Sequence, residues 1–297
     1  MLDFDITDAH HHLWDFSNHY PWLQESAGAL QVHGDDSAIR RDYLVSDFLA
    51  DVDGLPVRRS VHVEASPADP LAEVAWLQGV ADVHGYPHAI VARALLDDPD
   101  VEHQLERFVT YRNVRGVRHI VNWHEDPALT FTNQPDLLTS SAWRQGFAML
   151  ERFGLSFDLQ LYPHQMSAAT DLAMTFPGIQ IVLNHTGMPL GRDRDAFERW
   201  RAGMADLSRA PNVTVKISGL GMTDHHWSVE SIRPYVLETI ELFGTKRAMF
   251  ASNFPVDRLF STYPTLFTAY DELTAYLSRD EREQLFSKTA ESTYRLS

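Results

Sequence analysis

Eight short runs rich in β-branched and apolar residues, each followed by a turn and then a longer stretch with helical spacing, recur along the chain. The strand candidates are 4–9, 60–65, 89–95, 114–120, 156–161, 179–183, 213–217 and 248–251. Amphipathic stretches at 71–83, 101–111, 142–153, 165–176, 197–208 and 232–243 separate most of them, and two further helices, around 265–277 and 279–288, close the chain. This alternation reads as consecutive βα units about a parallel sheet. Phe153-Gly154, Phe176-Pro177-Gly178, Ala210-Pro211-Asn212 and Phe243-Gly244 each end a helical pattern just before a strand, as helix stops should. A doubly wound open sheet fits the same alternation. However, no Gly-x-Gly-x-x-Gly turn follows the first strand, and polar residues gather at the C-terminal end of nearly every strand. The expected fold is therefore α/β, a (β/α)8 TIM barrel, and 297 residues accommodate one such barrel of about 250 residues with insertions. A single domain over 1–297 is expected, with its largest insertion, about 14–58, between the first two strands and overhanging the mouth.

Composition narrows what such a barrel can do. The chain has no cysteine, which excludes disulfides, thiolate nucleophiles and Cys-ligated metal, so any metal must use His and carboxylate. A formal charge of -16 and the lack of a dense Lys/Arg tract oppose phosphate backbones and anionic lipid, so neither nucleic acid nor a membrane is an expected partner. No apolar run approaches the roughly 18 residues of a membrane span. The first residues lack the basic and apolar regions of a secretory signal, which makes the cytoplasm the expected location. A homodimer is the expected assembly only on the general prevalence of twofold oligomers.

Fifteen histidines are many, and their positions matter more than their number. His10 and His12 end the first strand two residues apart, so a pleated backbone points both at one face and turns His11 away. Two imidazoles on one face at a barrel mouth form a ready metal pair, whereas the bland alternative is a loop of solvated histidines. His119, His164 and His185 follow the fourth, fifth and sixth strands. Residues from the C-terminal ends of different strands converge on one pocket in barrel enzymes, so the recurrence is what a catalytic site leaves in a sequence.

Six segments carry a family resemblance: Asp8-Ala9-His10-His11-His12-Leu13-Trp14-Asp15, Gly116-Val117-Arg118-His119, Tyr162-Pro163-His164-Gln165, Leu183-Asn184-His185-Thr186-Gly187-Met188-Pro189, Val215-Lys216-Ile217-Ser218-Gly219-Leu220 and Met249-Phe250-Ala251-Ser252-Asn253-Phe254-Pro255-Val256. In order and spacing the chain resembles the amidohydrolase-related family of the amidohydrolase superfamily, in its sugar-lactone and pyrone-dicarboxylate lactonase branch. The resemblance implies a barrel hydrolase of metal-dependent type acting on a lactone. His10, His12 and His185 then match metal-site histidines, and His164 and His185 match catalytic ones. A divalent metal, zinc first, is implied, and metal-free catalysis stays open.

One departure bears on mechanism. The family commonly ends its eighth strand in Gly-Ser-Asp-Trp-Pro, whose aspartate is base or ligand, whereas this chain reads Ala251-Ser252-Asn253-Phe254-Pro255. An amide is no proton acceptor near neutral pH and a poor substitute for an anionic ligand. Three explanations stand: His185 or His164 serves as base; Asp257 or Glu64 supplies the carboxylate; or hydrolysis has been lost and a ligand-binding protein remains. Asp257 has a plainer reading as a helix N-terminal carboxylate. Glu64 lies in His62-Val63-Glu64, where a continued pleat sets it on the face of His62. For the substrate, Trp14, Phe16, Tyr20, Trp22, Trp123, Phe131, Tyr162 and Phe254 offer an aromatic wall for a small ring-containing molecule, or else pack the insertion onto the barrel. His119, Arg118 and Lys216 are candidate contacts to its polar groups, although Lys216 has Asp158 as an alternative partner. A metal-dependent decarboxylase is the competing enzyme class, and Asn253 counts against it as well.

Overall fold

The computed structural model describes residues 3–25 and 32–296. All eight expected strands are present: β1 (Ile6–His11), β2 (Val57–Val63), β3 (Ala89–Arg93), β4 (Val114–Arg118), β5 (Ser156–Leu159), β6 (Ile181–Leu183), β7 (Val213–Ile217) and β8 (Ala248–Phe250). Each pairs in parallel with the next, in sequence order. Closure is made beyond the end of β8: Asn253 N donates to His10 O and His12 N to Phe254 O, both at 2.7 Å. The loop after β8 is thereby fastened to the last residues of β1, and these are the two segments that carry the His pair and Asn253.

Strand alternation sorts the side chains. Ile90, Phe157, Ile181, Leu183, Val215, Ile217 and Phe250 pack outward against the helices in the larger apolar core. Ala9, Val61, Val63, Val91, Val182 and Met249 form a second, smaller cluster with Ala290 and Tyr294. Those last two come from the terminal helix Thr289–Tyr294, which plugs the N-terminal end of the lumen. The outer helices sit close to the barrel where a residue without a side chain permits it. A Cβ on Gly146, in helix Ser141–Phe153, would lie 1.9 Å from Leu96 O. No helix among the described residues is long and apolar enough to cross a membrane.

The insertion is anchored by Trp14, which exchanges backbone hydrogen bonds with Tyr43 (3.0 and 2.9 Å) and donates its indole N–H to Arg41 O at 2.6 Å. Trp14 is fully buried, so it fastens the insertion and does not wall the mouth. Of the aromatic residues expected around the mouth, Trp22 and Phe131 line the cavity described below. Tyr162 is buried with its hydroxyl on Leu129 O (2.6 Å), and packs the loops in the way the bland alternative requires.

Candidate active site

At the C-terminal mouth lies a cavity of about 540 Å³ lined by His12, Trp22, His33, Arg93, Arg118, Gln160, His185 and Asn253, among others. His10 and His12 share a face as the pleat requires. Their ring centroids are 5.0 Å apart and His185 stands 4.6 Å from His10, while His11 turns away to stack on Phe48 at 4.3 Å.

Hydrogen bonding settles the protonation of His12. Its Nδ1 lies 2.7 Å from Val63 O, a pure acceptor, so Nδ1 carries the proton. Burial, reinforced by the Arg118 charge, pushes this imidazole well below its ordinary value, so it is neutral and Nε2 presents a lone pair. Facing Nε2 at 3.4 Å is Asn253 Oδ1, and the orientation of that amide is set by its other end, where Nδ2 donates to Asp257 at 2.8 Å. Two acceptors therefore face each other on the cavity wall. Asn253 is held there with φ at +58°, in the left-handed region that asparagine tolerates better than most residues.

Arg118 is fixed from two sides. Its Nε donates to Glu64 Oε1 and its Nη2 to Glu64 O, both at 2.6 Å, and Nη1 donates to Gln160 at 3.1 Å. Glu64 thus partners Arg118 and does not share the face of His62. The strand ends at Val63, the pleat stops there, and His62 points the other way, to Leu13 O at 3.1 Å. His185 sits just beyond β6 with φ at +53° and its Nδ1 3.0 Å from Ser218 Oγ. Burial holds its ring well below the ordinary value too.

Lys216 is fully buried at 2.5 Å from Asp158, which also accepts Tyr294 OH (2.9 Å) and Asn184 Nδ2 (2.9 Å). Desolvation brings the ammonium down to about 8, leaving it charged and paired at neutral pH. It lies beneath the cavity, within 3.5 Å of His10 Nδ1, and does not line it, so the expected substrate contact is replaced by the pairing with Asp158.

His164, expected as a catalytic residue, does not line the cavity. It is exposed on the 3-10 turn Pro163–Gln165, beside the rings of Trp123, His124 and Tyr162, because the chain leaves the barrel at Leu159 and the turn carries His164 outward. Gln160, one residue past β5, takes the inward place. His119 also leaves the main cavity: its Nδ1 accepts from Leu96 N (3.2 Å) and the Trp143 indole (3.0 Å), and it lines an adjoining cavity. Asp257 is buried behind Asn253, and desolvation raises its carboxyl to about 7. It sets the Asn253 amide and does not line the cavity. Arg93, Gln160, Ser218 and His33 were not singled out in the sequence. Arg93 had a visible signal, since Ala89, Val91 and Arg93 alternate onto the lumen face of β3.

A divalent metal at this centre would take His10, His12 and His185. The buried, unpartnered His10 Nε2 suits a ligand. The rest of the donor set does not: there is no carboxylate in the group, an amide stands at 253, and the Lys216 ammonium lies beside His10. Among the described residues no three His, Cys, Asp or Glu side chains are disposed to hold one ion. The residues present do not fit the expected zinc.

A family model described as amidohydrolase matches residues 7–296. An uncharacterized protein of Sinorhizobium fredii is 48% identical over 100% of both chains. An L-fucono-1,5-lactonase of Burkholderia multivorans is 26% identical, covering 97% of this chain and 95% of its own. The crystal structure of a Burkholderia multivorans amidohydrolase with bound zinc superimposes with a TM-score of 0.82 at 24% identity, covering 99% of this chain and 100% of that one.

Proposed function

The chain belongs to the amidohydrolase family, and from that premise we propose that it opens a lactone by attack of water on the cyclic ester carbonyl. The observation that carries this reading is the pair of facing acceptors, His12 Nε2 and Asn253 Oδ1, 3.4 Å apart on the cavity wall. Water supplies two O–H donors and satisfies both at once. One proton passes to His12 Nε2 as the oxygen attacks, and Asn253 Oδ1 holds the other and so aims the lone pair. Protonation also relieves the apposition of acceptors, because Nε2–H then has Asn253 Oδ1 before it. Burial makes the imidazole a weak base, and the Asn253 oxygen facing Nε2 offsets part of that by favouring the charged form. Arg118, held rigid by Glu64 and Gln160, faces the cavity and steadies the negative charge of the tetrahedral intermediate, with His185 beside it. When the ring C–O bond breaks, the departing alkoxide takes from His12 the proton that water gave up, and the product is a hydroxy acid.

The L-fucono-1,5-lactonase relative supports this reaction class. No step requires a metal. The test is a panel of 1,4- and 1,5-lactones followed by proton release, with wild type, His12→Gln and Asn253→Ala. His12→Gln is expected to lower kcat by ~10²–10⁴-fold with little change in KM, as removal of a general base does. Asn253→Ala, which leaves the base and removes only the aim, should cost roughly 10–100-fold, the scale of a misplaced reacting atom. Unchanged turnover in His12→Gln would sink the mechanism, and no opening of any lactone by wild type would sink the function.

A further inference from the structure

Asp158 and Gln160 lie two residues apart, and the chain stays extended between them, with Gln160 O accepting Val121 N at 3.2 Å just beyond the end of β5. Both side chains therefore enter the lumen. Asp158 pairs with Lys216 beneath the cavity, and Gln160 stands on the cavity wall. Its amide has a determined orientation. The contact with Arg118 Nη1 at 3.1 Å is to a group that only donates, so the atom there is Oε1 and the other end is the NH2. That Nε2 has no hydrogen-bond partner among the described residues, yet it is not sealed off, because it opens on the cavity. Arg118 spends three of its five N–H groups on Glu64 Oε1, Glu64 O and Gln160 Oε1, which leaves one hydrogen on each Nη. The two hydrogens of Gln160 Nε2 stand beside them. A carboxylate at 160 would grip Arg118 more tightly, but with Glu64 already paired it would set a second negative charge on one guanidinium. The amide holds Arg118 without adding charge and presents donors of its own, which a clamp alone does not need.

We infer that Gln160 Nε2 is a catalytic hydrogen-bond donor: beside Arg118 it binds the lactone carbonyl oxygen and holds the charge that arrives there when water attacks. The inference rests on the lactone-opening reading of the same site. As the new C–O bond forms, the carbonyl π pair moves onto the oxygen, and it returns when the ring C–O bond breaks; Gln160 gives up no proton in either step. Water is aimed from His12 and Asn253, so the carbonyl lies between that pair and the pair formed by Arg118 and Gln160. Both donors are fixed before substrate arrives, Arg118 by Glu64 and Gln160 by Arg118, so little reorganisation accompanies the developing charge.

The test uses the lactone opened fastest in the panel above and its thionolactone, in which sulfur replaces the carbonyl oxygen, with wild type, Gln160→Glu and Gln160→Met. Gln160→Glu keeps an acceptor on Arg118 and removes the N–H. Its kcat on the lactone should fall on the order of 10²-fold with KM little changed, the scale for losing one donor to an oxyanion. Sulfur accepts hydrogen bonds poorly. The added negative charge opposes an anion on oxygen and on sulfur alike, whereas a lost N–H···O bond penalises oxygen only. The ratio of kcat/KM for lactone over thionolactone should therefore fall on the order of 10- to 100-fold in Gln160→Glu, the scale of a hydrogen bond to a charged group. Gln160→Met, uncharged and of similar length, should lower the ratio too and carries the test if the glutamate variant does not fold. An unchanged kcat in Gln160→Glu, or a ratio unmoved in both variants, would overturn the assignment and leave Gln160 as a clamp on Arg118, with the lactone reading intact. If wild type opens no lactone, that reading fails and this assignment falls with it.

Discussion

Replacing Lys216 by Met tests whether the pair beneath the cavity is structural. Both members are fully buried, with Nζ 2.5 Å from Asp158 Oδ1. The variant keeps most of the side-chain volume but leaves a carboxylate without its countercharge, and removing one partner of a buried pair costs about 3–5 kcal/mol. Asp158 still accepts Tyr294 OH and Asn184 Nδ2, each at 2.9 Å, so the lower end, about 3 kcal/mol, is expected. At ~2–4 °C per kcal/mol for large domains, Tm should drop by roughly 6–12 °C. Adding Asp158→Asn removes the stranded charge, and the double variant should recover about 2 kcal/mol of the deficit, a coupling typical of groups in contact. The deficit of the single variant should also narrow on acidification, because an unpaired buried carboxylate has a raised pKa and is relieved by taking up a proton. Urea midpoints at constant slope measure all of this. A single-variant loss under about 1 kcal/mol, or a double variant as unstable as the sum of its parts, would refute the claim that the ammonium is there to compensate Asp158.

Asp257 gives a pH signature. Its carboxyl, near 3.8 when exposed, stands at about 7 in the fold through burial, so the native state holds a proton that the unfolded chain has lost across that interval. The group's contribution is therefore fully present below pH 4 and lost as pH rises through 7. Asp257→Asn, which can still accept from Asn253, should match wild type near pH 4 and exceed it at pH 8, with a ceiling of roughly 4 kcal/mol from ~1.4 kcal/mol per unit; equal stability at pH 8 in chemical unfolding would count against the burial argument. For the metal, elemental analysis after dialysis against a chelator should find well under one equivalent of zinc with lactone opening retained. Near-stoichiometric zinc that disappears in His10→Ala would overturn the conclusion that this donor set does not fit an ion.

Much of the molecule was legible in the chain because its determinants are local. Short β-branched and apolar runs between stretches of helical spacing marked the eight strands, and Gly and Pro turns marked the joints that precede several of them. The two-residue spacing of His10 and His12 put both on one face whatever the rest of the fold did. The six family segments named the lactonase branch, and the asparagine at 253 announced that the eighth-strand carboxylate was missing.

What only the tertiary structure decided was which groups meet and where each strand stops. His164 and Gln160 are four residues apart, and the point at which the chain leaves β5 sends the first outward and the second into the cavity. Glu64 meets Arg118 from 54 positions away, and Asp158 collects Lys216 and Tyr294 from 58 and 136. Local spacing specifies the face on which a side chain emerges, but compensation of a buried charge depends on distant strands brought side by side by barrel closure. The same closure aligns His12 with Asn253 through two backbone hydrogen bonds between the first strand and the loop after the last. It also leaves Arg93 without an ion-pair partner among the described residues while Arg118 beside it is paired with Glu64, a property that belongs to the assembled cavity and to no segment of the chain.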